Sequence, residues 1–107
     1  MDSLFGSQAR TDALVSIARL GQTYPTEVAR VLGRRQIEVQ RALASLEKTG
    51  AVVSRKLGRT RIVELNPRYP QSDELYTLLL AMSEQPEYVK LWSDVRGRPR
   101  AIGKPLP

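Results

Sequence analysis

Two short stretches hold most of the residues able to do chemistry. In "GRRQIEVQR", Gly33 to Arg41, amide and guanidinium side chains stand at positions 36, 40 and 41, which a helix would bring toward one face. A Gln amide pairs bidentately with adenine and an Arg guanidinium with guanine in the major groove, each contact worth about 1–3 kcal/mol of discrimination. Gln36, Gln40 and Arg41 are therefore candidate base readers. Glu38 either accepts from cytosine or orients a neighbouring arginine, and Arg34 and Arg35 stand where a turn would meet a phosphate backbone. In "SRKLGRTR", Ser54 to Arg61, the side chains of Arg55, Lys56, Arg59 and Arg61 flank Gly58 without an interleaved acid, a pattern suited to phosphates. The competing reading is plain: surface helices carry solvated polar faces, and exposed hairpins carry Lys and Arg to block edge pairing.

Other chemistry has little to work with. The chain has no Cys and no His, which removes disulfides, thiolate chemistry, zinc ligation and the usual general base. "LFGSQAR" is similar to the Gly-Ser turn of nucleotidyltransferases, yet Asp12 stands without the second carboxylate that would hold Mg. The expectation is a protein that is not an enzyme and needs no cofactor or metal.

The net charge of +6 and pI near 10.2 point to a polyanionic partner. The distribution is uneven. Residues 1–29 carry a net −1, residues 30–61 a net +7, residues 64–95 a net −4, and residues 96–107 a net +4. The basic block coincides with the two stretches above.

Elements able to position those side chains follow from periodicity and punctuation. Ser7 is an N-cap candidate for a first helix whose Ala13, Leu14, Ile17, Ala18 and Leu20 share a face before Gly21. "QTY" allows only a strand fragment. Pro25-Thr26 starts a short second helix ended by Gly33, and a third runs from Arg35 or Gln36 to Thr49, with Val39, Leu43 and Leu46 inward and Gly50 as terminator. "AVVSRK" and "TRIVEL" are β-branched runs joined by "LGR", which predicts a hairpin. A fourth helix, capped by Ser72 or Asp73, and a fifth beginning at Pro86 complete the chain before a Gly- and Pro-containing tail. The fold class expected is mainly α with a small β-hairpin wing (α+β).

In this order, "EVARVLG", "VQRALASLEKTGAV" and "SRKLGRTRIVELN" resemble the winged helix-turn-helix core of small regulators of the ArsR and MarR type, over roughly residues 4–80. The resemblance implies a recognition helix presenting Gln36, Glu38, Gln40 and Arg41 to the major groove, with Arg34 and Arg35 at its start. It places Arg55, Lys56, Arg59 and Arg61 of the wing on the backbone or in the minor groove. Arg35 stands where the family commonly has a capping Ser or Thr. The family's metal sensors use Cys, His and acid clusters that this chain cannot assemble. The implied function is a sequence-specific, double-stranded DNA-binding transcription regulator, a dimeric repressor with an unknown effector.

The organisation expected is a DNA-binding domain over residues 1–70, C-terminal dimerisation helices over 71–95 and a basic tail over 96–107. "ELYTLLLAM" is apolar around most of its girth, so Leu75, Tyr76, Leu79 and Leu80, with Leu14 of the first helix, are candidate dimer contacts. The alternative is that Tyr76 and Leu80 cover the fifth helix. "RGRPR" resembles an AT-hook core, whose Arg96, Arg98 and Arg100 would enter a narrow minor groove. Two other functions remain open: an architectural DNA-binding protein of low specificity, and an antitoxin or adaptor that uses its last helices for a protein partner. The N-terminus has no signal-peptide pattern and no stretch reaches the roughly 20 apolar residues of a membrane span, so a cytoplasmic, nucleoid-associated protein is expected.

Overall fold

A computed structural model describes residues 6–93. Helix α1 (Gln8–Leu20) starts at Ser7, whose hydroxyl accepts from the Arg10 backbone N–H, and stops at Gly21. Helix α2 (Pro25–Leu32) has Pro at its first turn, where a missing N–H costs nothing. It ends at Gly33, whose left-handed backbone (φ 68°, ψ 30°) swings the chain into α3 (Gln36–Thr49). Strands β1 (Val52–Leu57) and β2 (Thr60–Leu65) pair antiparallel, Val52 opposite Leu65 and Leu57 opposite Thr60, across the two-residue turn Gly58-Arg59. Positive φ at Gly58 alone suits a turn of the II′ kind, which matches the twist of the flanking strands. Thr23 adds a bridge to Val63, so the "QTY" fragment does lie along the hairpin.

Helices α4 (Ser72–Ser83) and α5 (Pro86–Ser93) fold back on this unit. The α4 cap differs from the Ser72 or Asp73 expected: Gln71 occupies the position in a left-handed conformation (φ 56°) with no side-chain cap, and the Ser72 hydroxyl donates to the Pro67 carbonyl instead. Pro70 and the Asn66 turn, where the Arg68 N–H binds the Asn66 side chain, hold the chain in that sharp reversal.

The core explains the surplus apolar surface of α1. Residues Ala13 through Ala18 of α1 are all buried, including Val15 and Ser16, which periodicity would have left outside. Helices α2 and α3, strand β2 and helix α4 surround α1, so it is covered on nearly every side. Leu14 (1% exposed) and Leu79 (0%) are enclosed in this core, which corrects their assignment as dimer contacts. Leu75 and Leu80 are partly buried against the same cluster, and only Tyr76 of the expected set is well exposed. Tyr88 and Trp92 of α5 stack with ring centroids 6.2 Å apart, and the Trp92 indole N–H donates to the Ser83 carbonyl at 2.7 Å. Helix α5 therefore closes over α2 and α4 largely through its own aromatics.

Candidate nucleic-acid interface

The basic stretches come together around α3. Val39, Ala42, Leu43 and Leu46 anchor it in the core, which leaves Gln36, Ile37, Gln40, Arg41, Ala44 and Lys48 exposed along the opposite side. On one flank of that side lies a groove of about 650 Å³ lined by Tyr24, Pro25 and Thr26 at the start of α2, Gln40 of α3, and Arg59, Thr60 and Arg61 of the hairpin. An exposed polar helix face, the start of a second helix and a cationic hairpin tip thus share one surface.

The structure separates cations that are available from cations already engaged. Arg41, Lys56 and Arg59 make no ion pair among the described residues. Arg55 sits 3.4 Å from Glu64, and Arg61 is bonded to Glu47 of α3, an ion pair that ties the hairpin to the helix. Arg35 is largely exposed and only loosely paired with Glu38 at 3.7 Å.

Arg34 behaves differently from the sequence-based expectation of a backbone contact. Its Nε and terminal nitrogen donate to Asp12 of α1 at 3.3 and 3.0 Å, and its other terminal nitrogen donates to Glu38 at 3.2 Å. Burial alone would lower its pKa, but the hydrogen bonds it donates to the two carboxylates, with their negative charges, outweigh that and raise it. Arg34 is a clamp between α1 and the start of α3. Glu38 pairs with both Arg34 and Arg35, the contact an orienting role requires.

Asp12 is the centre of this clamp. Besides Arg34 it accepts from the Tyr88 hydroxyl at 2.6 Å and from the Gln8 amide at 2.7 Å, so one carboxylate joins α1, the helix-turn-helix turn and α5. Burial, then the hydrogen bond to Asp12, pushes the Tyr88 phenol well above its usual value of 10.0. Because the folded state holds this proton more tightly, the stabilisation is complete below pH 10.0 and is lost as pH rises beyond it. We expect wild-type stability to fall more steeply above that pH than that of Tyr88→Phe, by up to about 1.4 kcal/mol per pH unit. Parallel slopes in urea melts of the two proteins would remove Tyr88 as the cause.

Sequence reasoning missed Tyr24, Pro25 and Thr26 as parts of the groove, although a proline-started helix beside a basic block is a readable anion-site signal. The tail residues Arg96, Arg98 and Arg100 lie outside the described residues. No cluster of three or more His, Cys, Asp or Glu side chains able to hold a metal occurs among the described residues, and none of their helices is long and apolar enough to cross a membrane.

Comparison with known proteins places this geometry. No family model and no curated protein matches the sequence. Among solved structures, the adhesin competence repressor AdcR from Streptococcus pyogenes superposes with a TM-score of 0.61 at 16% identity, covering 86% of this chain. The chain has a winged helix-turn-helix fold. It spans 66% of the length of that repressor, and at this identity the likeness is one of fold. In the winged-helix fold α3 is the second helix of the helix-turn-helix and the β1–β2 hairpin is the wing.

Proposed function

We propose that this winged-helix protein is a sequence-specific double-stranded DNA-binding transcription regulator. The observation that carries the reading is the groove that Gln40 of α3 shares with Arg59 at the wing tip and the start of α2, Arg59 having no ion pair among the described residues, with Gln36 and Arg41 exposed on the same helix. Base-reading side chains on a helix and a phosphate-seeking cation on a flanking hairpin are what a duplex needs from this fold. Repression is the mode proposed, in keeping with the name of the AdcR repressor whose fold it shares.

The working form proposed is a homodimer. Tyr76 is 46% exposed on the same flank of α4 as half-buried Leu80, and these two, with Leu75 at the edge, are what a second copy would cover. A two-fold assembly would set two recognition helices in successive major-groove faces, about 34 Å apart. The net negative charge of residues 64–95 suits a surface turned from DNA. The basic residues Arg96, Arg98 and Arg100 would add affinity for flanking DNA in this scheme.

Selection from random duplexes, with the oligomeric state measured by light scattering, tests the reading. A recovered motif and a preference over scrambled DNA approaching ~10³ are expected, whereas a ratio near one points to an architectural protein. Arg41→Ala should relax the motif at a single base position at a cost of about 1–3 kcal/mol and leave the other positions as they were. Uniform weakening across all positions would make Arg41 a backbone contact.

A further inference from the structure

The recognition helix has a second flank, and an unusual arginine lines it. Arg10 leaves the first turn of α1 and reaches α3, where one terminal nitrogen donates to the Ser45 hydroxyl. Its Nε is enclosed without a hydrogen-bond partner. The guanidinium rests on the backbone of Gly6, so closely that a Cβ there would collide with its other terminal nitrogen. No carboxylate pairs with it among the described residues, in contrast to half-buried Arg34, which has two. Among the described residues its side-chain partner is a hydroxyl rather than a carboxylate, and a cation held this firmly suits an anionic partner.

The setting shows where that partner would come from. Arg10 and Arg41 line an open groove of about 330 Å³ between α1 and α3, together with Ser7, Glu38, Ala42 and Ser45. Glu38, the one acid among the described lining residues, is already held by Arg34 and Arg35. Ser45 accepts from Arg10 and Ser7 accepts from the Arg10 backbone N–H, which leaves each hydroxyl its own proton to donate. The groove follows the stripe 38, 41, 42 and 45 of α3, whereas the groove of the wing includes Gln40 on the other flank. A helix in a major groove about 12 Å wide has a sugar-phosphate strand on each side.

We propose that the α1–α3 groove is a second phosphate site, in which Arg10, supported by Ser45 and Ser7, binds a DNA phosphate on the strand opposite the one met by the wing. The inference rests on the DNA-binding reading above and deepens it: the recognition helix is held from both strands, and α1 supplies the contact on the side the wing cannot reach. Arg10 is preset for this by Gly6 and Ser45, so little side-chain freedom is lost on binding.

The test compares the salt dependence of binding to a mixed-sequence duplex for wild type, Arg10→Gln, Arg10→Lys and Arg59→Ala, each checked for an unchanged fold by circular dichroism and melting. Arg10→Gln should lower the slope of log K against log salt by about 0.9, the share of one phosphate, and Arg10→Lys should restore it. Base preference should stay the same in both. A loss of affinity with an unchanged slope would mean that Arg10 only braces α3, which overturns the proposal while Arg59→Ala still shows its own slope change. An unchanged slope combined with melting raised by inorganic phosphate in wild type, but not in Arg10→Gln, would make the groove a free-anion site and also overturn it. If Arg59→Ala were equally silent, the DNA-binding reading itself would fall.

Discussion

Replacing Lys56 and Arg59 together with alanine is expected to weaken binding to every duplex by about tenfold to a hundredfold and to lower the salt slope by about 1.8, with the selected motif unchanged. The argument is one of availability. Of the four wing cations, Arg55 faces Glu64 and Arg61 is bonded to Glu47, so exchanging either for a phosphate first requires breaking a bond within the protein. Lys56 and Arg59 have no such cost among the described residues, and Arg59 lines the groove that includes Gln40. A charge-assisted contact contributes about 1.5 kcal/mol or more, close to tenfold in affinity for each. Both residues are exposed and neither supports the core, so melting should be nearly unchanged. The companion change Arg55→Ala should have the smaller effect on DNA. Electrophoretic or fluorescence titrations over a range of salt would decide the matter. A double variant that binds as wild type would take the wing out of the interface.

That contrast between free and engaged cations was not legible in the sequence. Spacing showed that Arg34, Arg55, Lys56, Arg59 and Arg61 lie in a basic block, but an ion pair with Asp12, Glu47 or Glu64 joins residues 9 to 22 positions apart, and no local pattern encodes it. Local punctuation carried much further. Ser7, Gly21, Pro25, Gly33, Gly50 and Pro86 sit at the helix ends they predict, because a cap or a positive φ is decided within a few residues. The α4 cap failed for a related reason: Ser72 has the right chemistry, but its hydroxyl is drawn to the Pro67 carbonyl by a turn whose geometry depends on Pro70 and Asn66. The apolar girth of α1 and α4 signalled that both needed more than one neighbour. It cannot say that they are each other's neighbour, and so it points Leu14 and Leu79 toward a second copy, whereas the two helices pack together and both residues lie in one core. Nothing in the sequence marks Arg10, since one arginine in a first helical turn has the pattern of a solvated charge and its contact with Ser45 spans 35 positions.

The clamp at Asp12 carries the largest expected effect on the fold. Asp12→Ala should destabilise the protein by about 2–4 kcal/mol, lowering its melting temperature by roughly 10–20 °C. The mutation leaves three groups short of a partner: the exposed Gln8 amide, which turns to water, the hydroxyl of Tyr88, a residue 5% exposed, and the Asp12-facing nitrogens of Arg34. Removing one side of a half-buried charged bond costs more than the bond contributed, because the remaining group is still desolvated. Arg34 keeps Glu38, and its side chain retains 27% exposure, so water compensates part of its loss and the lower end of the range applies to that half. Asp12→Asn separates the two contributions: its carbonyl oxygen still accepts from Tyr88, but the neutral amide cannot hold the guanidinium. It should therefore recover the share due to α5 and leave the share due to the turn. Arg34 follows Gly33 directly and fixes how α3 leaves that turn, so both variants should also weaken DNA binding, and Asp12→Asn should do so with its slope on salt unchanged. Urea melts of the two variants and of Tyr88→Phe form the set. A loss below about 1 kcal/mol for Asp12→Ala would show that the three elements hold together by apolar packing and that the clamp only orients Arg34.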